Sequence, residues 1–158
     1  MLVRVGLILS VCVSLTIAAG CGGGSKEGPS KPADAKQTSA VTGSVTIDGQ
    51  APNGLSIYLV PASSTTVGLI DEDFSSGHVA NPDTTGNFTF TTYVYGDGAP
   101  AGDYVAVMRW APRGQQKPSD SVVERFNNKY GDFAASKFKV KVEADKPTVL
   151  EKWELKSK

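Results

Sequence analysis

The chain has 158 residues, with 16 basic and 16 acidic side chains, one histidine and two cysteines. This balance of charge excludes the clustered basic surface that nucleic-acid binding needs, and the length fits one domain. One histidine excludes metal sites built from several imidazoles, and no cofactor is expected. Both cysteines, Cys12 and Cys21, lie in the first 21 residues, so the rest of the chain forms no internal disulfide.

The first 20 residues have the pattern of a secretory signal peptide. Arg4 precedes a mostly apolar run that extends to Ala19 and ends in small residues. A membrane-spanning helix needs at least about 17–20 consecutive apolar residues, and this run is shorter and leads directly into glycines. We therefore expect residues 1–20 to be a targeting segment that is removed on export.

The sequence IAAGC, from Ile17 to Cys21, resembles the bacterial lipobox. In that family the cysteine becomes the first residue of the mature chain and its thiol carries diacylglycerol. The resemblance implies lipidation at Cys21 by acyl chains such as palmitate, and a position on a bacterial cell membrane, in the periplasm or at the cell surface. Several acyl chains give stable anchoring, because each buried methylene contributes about 0.8 kcal/mol.

Residues 22–39 are rich in glycine, proline and lysine and contain no large apolar side chain. Such a segment cannot bury enough surface to offset the entropy of ordering it. We therefore predict a disordered tether over residues 21–39, which would span roughly 20–25 Å as a flexible coil. The tether holds a folded domain, predicted over residues 40–158, away from the membrane.

From Ala40 onward, apolar residues recur at every second position, which is typical of β strands. The segment 104–110 is apolar on both faces, and this predicts a central strand. Short strands separated by turn signals predict an antiparallel β-sandwich of about seven strands. The predicted strands are 41–47, 55–59, 77–80, 88–95, 104–110, 138–142 and 148–155.

One short helix is predicted near 121–130. Ser121 and Glu124 have the spacing of a capping box, and the apolar residues from Val122 to Tyr130 recur at helical spacing. Gly131 is suited to end this helix. About ten residues are too few for a stable isolated helix, so we expect it to pack over the end of the sandwich.

Three segments resemble carboxypeptidase regulatory-like domains, a family with a transthyretin-like (prealbumin-like) sandwich. These are VTGSVTIDG at 41–49, DTTGNFTF at 83–90 and GAPAGDYVAV at 98–107. The resemblance covers most of residues 41–155. It implies an all-β, transthyretin-like fold and a non-catalytic accessory or binding role.

The sequence does not favour the enzymes that share related folds. Resemblance to hydroxyisourate hydrolases would imply a set of histidines, and resemblance to aromatic-ring dioxygenases would imply two histidines and two tyrosines for iron. His78 is alone here, so neither match holds. No G-x-S-x-G nucleophile motif is present either. We expect no catalytic residues, and we expect His78 to lie in a loop or at a strand edge.

The best candidates for partner binding are aromatic residues and an arginine near the predicted 96–103 loop: Tyr93, Tyr95, Trp110 and Arg113. Exposed tyrosine and tryptophan stack on sugars and form hot spots in protein interfaces. The alternative is that these rings cover the ends of the core.

Two charged groups are weaker candidates. Asp71, Asp73 and Asp83 could supply oxygen ligands to calcium, but they lack the spacing of a calcium loop, and a solvated acidic loop is favoured. Lys137 and the next two alternate lysines, at 139 and 141, form a stripe that either attracts an anionic lipid or polymer or protects an edge strand from pairing.

These observations together predict a lipid-anchored protein of the cell envelope that has no catalytic activity. It would bind or scaffold a protein or a glycan. The alternative is an accessory subunit of an envelope enzyme or transport complex, and a transthyretin-like hydrolase is third. The membrane, through Cys21, is its expected first partner.

Overall fold

The computed structural model describes residues 30–65, 68–70, 74–111 and 124–158. Within these ranges every regular element is a β strand. The strands are β1 (Thr38–Ser39), β2 (Val41–Ile47), β3 (Leu55–Pro61), β4 (Val79–Ala80), β5 (Asn87–Thr89), β6 (Ala99–Pro100), β7 (Gly102–Trp110), β8 (Lys139–Val142), β9 (Thr148–Val149) and β10 (Trp153–Leu155).

Two sheets enclose one main hydrophobic core. The first has the order β10-β2-β5, with β9 also paired to β2, and the second has the order β4-β3-β7-β8. The alternation in β2 and β3 is the one that the sequence predicts, because their apolar side chains are buried between polar ones that lie nearer the surface. The predicted all-β sandwich is confirmed. Its largest fully buried side chains include Phe90, Leu55, Ile57, Leu59, Met108 and Leu155.

Strand β7 is central, as its two-sided apolarity predicts. It pairs with β3 on one side and β8 on the other. Its inner residues belong to the main core, whereas Val107 on its outer face packs with Val60 and Ile70 in a second small cluster. A backbone hydrogen bond from Ile70 N to the Gly131 carbonyl holds Ile70 in this second cluster.

The C-terminal part of the sheet pairs differently from the prediction. The segment predicted as one strand, 148–155, forms two short strands, β9 and β10, and both run parallel to β2. They pair with successive halves of β2, beginning at Val41 and at Val45. The sandwich is therefore mixed rather than wholly antiparallel.

The two sheets meet on one side and stay apart on the other. A bridge between Val79 and Thr91 connects β4 to the chain that follows β5. On the opposite side β8 and β10 end the two sheet orders, so both are edge strands in the part of the chain that is described.

The predicted helix near 121–130 is not observed in its described part. Residues 121–123 lie outside the described ranges, and residues 125–130 form turns. Asn127 and Asn128 have φ angles of 50° and 62°, which a right-handed helix does not accommodate. The Glu124 carboxylate accepts hydrogen bonds from the backbone N–H groups of Trp110, Phe126 and Asn128, so it organises a turn instead of a capping box.

Two predicted boundaries also change. The folded domain begins at β1 rather than at residue 40, because Thr38 and Ser39 pair with β6 and Ser39 is buried. The strand predicted over 88–95 is shorter, because β5 ends at Thr89. Beyond it the chain folds into a loop in which Gly96 and Gly98 have positive φ angles.

Candidate functional site

The loop 91–98, here called the tyrosine loop, is fixed by its own polar groups. The Asp97 carboxylate accepts hydrogen bonds from the backbone N–H groups of Thr92 (2.8 Å) and Tyr93 (3.2 Å). The Thr91 hydroxyl accepts one from Gly96 N (3.0 Å). On this frame the side chain of Tyr95 is 91% exposed. Its exposure therefore comes from a turn that holds it outward.

The chain before β1 packs on the same loop. The N–H of Lys36 donates to the Tyr93 hydroxyl (3.3 Å), and the Lys31 ammonium lies 5.6 Å from the centre of the Tyr93 ring. The same ammonium is 4.0 Å from the Asp97 carboxylate and 2.8 Å from the Thr38 hydroxyl. Tyr93 is thus partly covered by the N-terminal segment, and only Tyr95 projects freely.

The structure separates Trp110 from Tyr93 and Tyr95, which the sequence predicts to form one binding site together with Arg113. Tyr93 and Tyr95 lie near the start of β7. Their loop contacts His78 through Thr92, and the His78 ring is 5.5 Å from the ring of Tyr104, the third residue of β7. Trp110 ends β7, six residues farther on, which corresponds to about 20 Å along a strand. Arg113 lies outside the described residues, as does Cys21.

Trp110 belongs to a different feature, a continuous row of aromatic rings along the open side of the sandwich. The ring centroids are 5.2 Å apart from Trp110 to Phe126, 4.7 Å from Phe126 to Tyr130, 6.1 Å from Tyr130 to Phe138, and 5.1 Å from Phe138 to Trp153. Phe138 directly precedes edge strand β8, and Trp153 begins edge strand β10. The row therefore spans the gap between the two edges.

Three cations lie over the rings of this row. Arg125 lies 5.4 Å from the Trp110 ring, and Lys129 and Lys137 lie 5.3 Å and 5.7 Å from the rings of Tyr130 and Phe138. Each cation–π contact contributes about 0.5–1 kcal/mol at an exposed position. We call the five rings and three cations the aromatic–cation surface, in which Phe126 is buried and the other four rings are partly exposed. It presents positive charge over an apolar base, which suits an anionic partner better than a neutral sugar.

Hydrogen bonds fix the rings of this surface in place. Trp110 Nε1 donates to the Asn53 carbonyl (3.0 Å), and the Tyr130 hydroxyl accepts from Lys156 N (3.0 Å). The Lys129 ammonium donates to the carbonyl of Lys158 (3.0 Å), which ties the C-terminal residues to the same place. A partner would therefore meet a preorganised surface.

His78 has a structural environment at a strand edge, where the sequence places it. The Thr92 hydroxyl donates to the Gly98 carbonyl (2.6 Å), so it accepts from His78 Nδ1 (2.8 Å). This assignment fixes the tautomer with the proton on Nδ1. Burial lowers the pKa of His78, and the nearby Asp97 carboxylate acts in the opposite direction. A threonine hydroxyl whose proton points to a carbonyl is not arranged for activation by this imidazole.

Asp83 stabilises a turn. Its Oδ1 accepts hydrogen bonds from Thr85 N (2.8 Å), the Thr85 hydroxyl (2.6 Å) and Asn87 N (3.0 Å). These bonds, led by that of the Thr85 hydroxyl, lower the pKa of Asp83. Asp71 and Asp73 lie outside the described residues, and in the described ranges no three His, Cys, Asp or Glu side chains are grouped to hold a metal ion.

The predicted lysine stripe lies on edge strand β8 and on the chain just before it. Lys139 and Lys141 are exposed, whereas Val140 and Val142 between them are buried. This edge position agrees with the interpretation that lysines protect the strand from pairing. Lys137 has an additional role, because it covers the Phe138 ring in the aromatic–cation surface.

A shallow groove of about 400 Å³ also lies on the first sheet, over β2, β5 and β9. Its lining combines the small polar residues Thr42, Ser44 and Thr89 with Val149 and Leu150. None of its lining side chains is ionisable, so it offers no charge to a ligand. The sequence gives no signal for it, because the lining comes from three separate strands.

Comparison with known proteins does not extend this description. No family model matches the sequence, and no curated protein or solved structure matches it. Among the described residues, no helix is long and apolar enough to cross a membrane. The proposals for this chain therefore rest on its own residues and contacts.

Proposed function

We propose that this chain is a non-catalytic protein of the bacterial cell envelope, anchored by lipid at Cys21. It carries one sandwich of the transthyretin-like, carboxypeptidase regulatory-like kind, which binds or scaffolds an anionic protein or glycan. The proposed recognition site is the aromatic–cation surface. The anchor is supported by the lipobox-like IAAGC sequence, which ends an apolar segment of signal-peptide length.

One observation carries the binding role: five rings in continuous contact with three cations placed over them. Tryptophan, tyrosine and arginine are the residues that dominate the energy of protein interfaces. A carboxylate or another anionic group of a partner can pair with Arg125, Lys129 or Lys137 while the rest of the partner packs on the four partly exposed rings. The overall charge of the chain is balanced, so this local arrangement provides the attraction rather than the net charge.

The position of the aromatic–cation surface on the sandwich also supports a role in recognition. It lies between two edge strands, β8 and β10, and away from the β4–β5 side, where the sheets are joined. The rings come from four separate segments of the chain, so their alignment depends on the folded sandwich. A recognition site of this kind is rigid, and a rigid site loses little conformational entropy on binding.

A photocrosslinking experiment in intact cells tests the binding site. A photoreactive amino acid replaces Lys156, which is exposed beside Tyr130, or, as the control, Thr84, which is exposed on the turn beside β5. We expect a specific adduct from position 156 and none from position 84. Equal adducts from both positions, or none from 156, would contradict the proposed site. Adducts with a single enzyme or transport complex would instead favour the role of accessory subunit.

Labelling with radioactive palmitate tests the anchor separately. The unaltered chain should incorporate the label, and Cys21→Ala should not. Equal labelling of both proteins would exclude Cys21 as the attachment point. This result would leave the recognition site untouched, because the crosslinking readout does not depend on the anchor.

A further inference from the structure

The pole of the domain where the N-terminal segment enters carries two of the most exposed apolar side chains. We define this N-terminal pole as residues 31–40, the tyrosine loop and residues 145–149. Tyr95 is 91% exposed and Val149 is 79% exposed. Both belong to segments bonded directly to the N-terminal residues: Ala99, just after the tyrosine loop, pairs with Ser39, and Thr148 N donates to the Ala40 carbonyl.

The N-terminal segment leaves the domain at this pole. Lys31 is held against Tyr93, Asp97 and Thr38, so the chain is attached to the tyrosine loop from that point onward. Only ten residues lead back from Lys31 to Cys21. Ten residues in any conformation reach at most about 35 Å, which is close to the length of the domain along β7. An anchored Cys21 therefore keeps this pole within about 35 Å of the bilayer.

We propose that the N-terminal pole lies against the membrane that holds the acylated Cys21, with the Tyr95 ring in the lipid headgroup region. This inference rests on the proposed lipid anchor. Tyrosine suits that position, because its ring is apolar and its hydroxyl is polar, as in the aromatic belts of membrane proteins. The tyrosine loop holds the ring outward through the Asp97 and Thr91 hydrogen bonds, so no rearrangement is needed for contact.

Charge has little part in this contact. The pole contains Lys31, Lys36 and Lys146, and also three aspartates, at positions 34, 97 and 145, so its formal charge is balanced. One tyrosine and one valine are too few to hold a domain on a bilayer, and the acyl chains supply the affinity. The exposed side chains set the orientation instead.

This orientation directs the aromatic–cation surface away from the membrane. Strand β2 runs from the N-terminal pole to the turn at Asp48 and Gly49, about 20 Å away. The end of β7 at Trp110 lies at that far pole, because Leu55, which follows the turn, pairs with it. The Trp110 end of the surface would thus face the envelope space, where a partner can reach it.

Fluorescence quenching on vesicles tests the proposal with the full acylated chain. A single cysteine, labelled with an environment-sensitive fluorophore, replaces Ala101, which lies between β6 and β7 beside the N-terminal pole, or, as the control, Gln50 at the far pole. Both positions are exposed. The acylated Cys21 carries no free thiol, so only the introduced cysteine reacts. The vesicles contain phosphatidylethanolamine, phosphatidylglycerol and a phospholipid with a nitroxide near its headgroup.

We expect strong quenching at position 101, none above background at position 50, and a loss of quenching at 101 in the Tyr95→Ser variant. Equal quenching at the two positions would overturn the orientation. Quenching at 101 that is unchanged in Tyr95→Ser would overturn the role of Tyr95. If the chain does not float with the vesicles at all, the anchor itself fails and this inference fails with it. Flotation therefore separates the failure of the anchor from the failure of the orientation.

Discussion

The carbonyl oxygen of Ser39 lies 1.8 Å from the position that a Cβ on Gly98 would occupy. Gly98 also has a φ angle of 82°, which side-chain-bearing residues rarely adopt. The tyrosine loop and the N-terminal segment can therefore approach this closely only because residue 98 is a glycine. This contact joins the N-terminal segment to the face that carries Tyr95.

Gly98→Ala should destabilise the domain far more than Gly49→Ala. Both glycines have φ angles of 82°, but a Cβ at position 49 meets no atom within 4 Å. Gly49→Ala should therefore reduce the free energy of unfolding by only about 1–2 kcal/mol, the cost of the left-handed backbone. Gly98→Ala should cost at least about 2 kcal/mol more, because the backbone of β1 must move. Urea denaturation measures both, and equal losses would contradict the close packing of the two segments.

The free energy of unfolding should depend on pH through His78. Burial lowers the pKa of His78 in the folded state below its ordinary value of 6.5. Below pH 6.5 the unfolded chain therefore binds a proton that the folded chain does not. The contribution of neutral His78 to the free energy of unfolding is thus complete above that pH, and it declines as the pH falls toward the folded pKa. His78→Asn keeps a donor for the Thr92 hydroxyl but does not titrate.

Urea unfolding at pH 7.5, 6.5 and 5.5 measures this dependence. The unaltered chain should lose stability across the range, and His78→Asn should lose less. Parallel decreases in both proteins would show that the titration of His78 is not coupled to folding. The buried imidazole would then have the same pKa in both states.

The aromatic row should contribute substantially to stability through Phe126. This ring is 2% exposed and contacts both Trp110 and Tyr130. Phe126→Ala should lower the free energy of unfolding by about 3–5 kcal/mol, because it removes a buried ring and leaves a cavity. Val149→Ala, at an exposed position, should change it by less than about 0.5 kcal/mol. A small effect of Phe126→Ala in chemical denaturation would mean that the row is not packed as described.

The contribution of the Asp83 turn to the stability of the domain should decrease in acid. Hydrogen bonds lower the pKa of Asp83 from its ordinary value of 3.8. Its contribution to stability is therefore present above pH 3.8 and is lost as the pH falls through the lower, folded pKa. Asp83→Ala should reduce the urea midpoint at pH 7, and the reduction should diminish at pH 2. A constant difference at both pH values would show that the carboxylate charge is not involved.

The strands were predictable because their signal is local. Alternation with a period of two is present within β2, β3 and β8 and determines which side chains reach the core, whereas β7 is apolar on both faces. The parallel pairing of β10 with β2 was not predictable in this way, because it joins residues about a hundred positions apart. The helix prediction failed for a local reason, the left-handed conformations of Asn127 and Asn128.

The candidate site was predictable only in part. The sequence indicates that Tyr93, Tyr95 and Trp110 are candidates for binding, but it cannot show that the fold places the two tyrosines near the start of β7 and Trp110 at its end, about 20 Å farther along the strand. The aromatic–cation surface has a weak local signal in the adjacent pairs of Lys129 with Tyr130 and Lys137 with Phe138. Its continuity arises from tertiary packing.

The claim that the aromatic–cation surface binds the partner is tested most directly by two variants of equal charge. In one variant glutamine replaces the three cations of the surface, Arg125, Lys129 and Lys137. In the other, glutamine replaces Lys36, Lys139 and Lys141, none of which lies over a ring of the aromatic row. Both carry the photoreactive residue at position 156, beside Tyr130. We expect the first variant to lose the crosslinked adduct in intact cells and the second to retain it. Equal loss in both, or retention in the first, would contradict the claim.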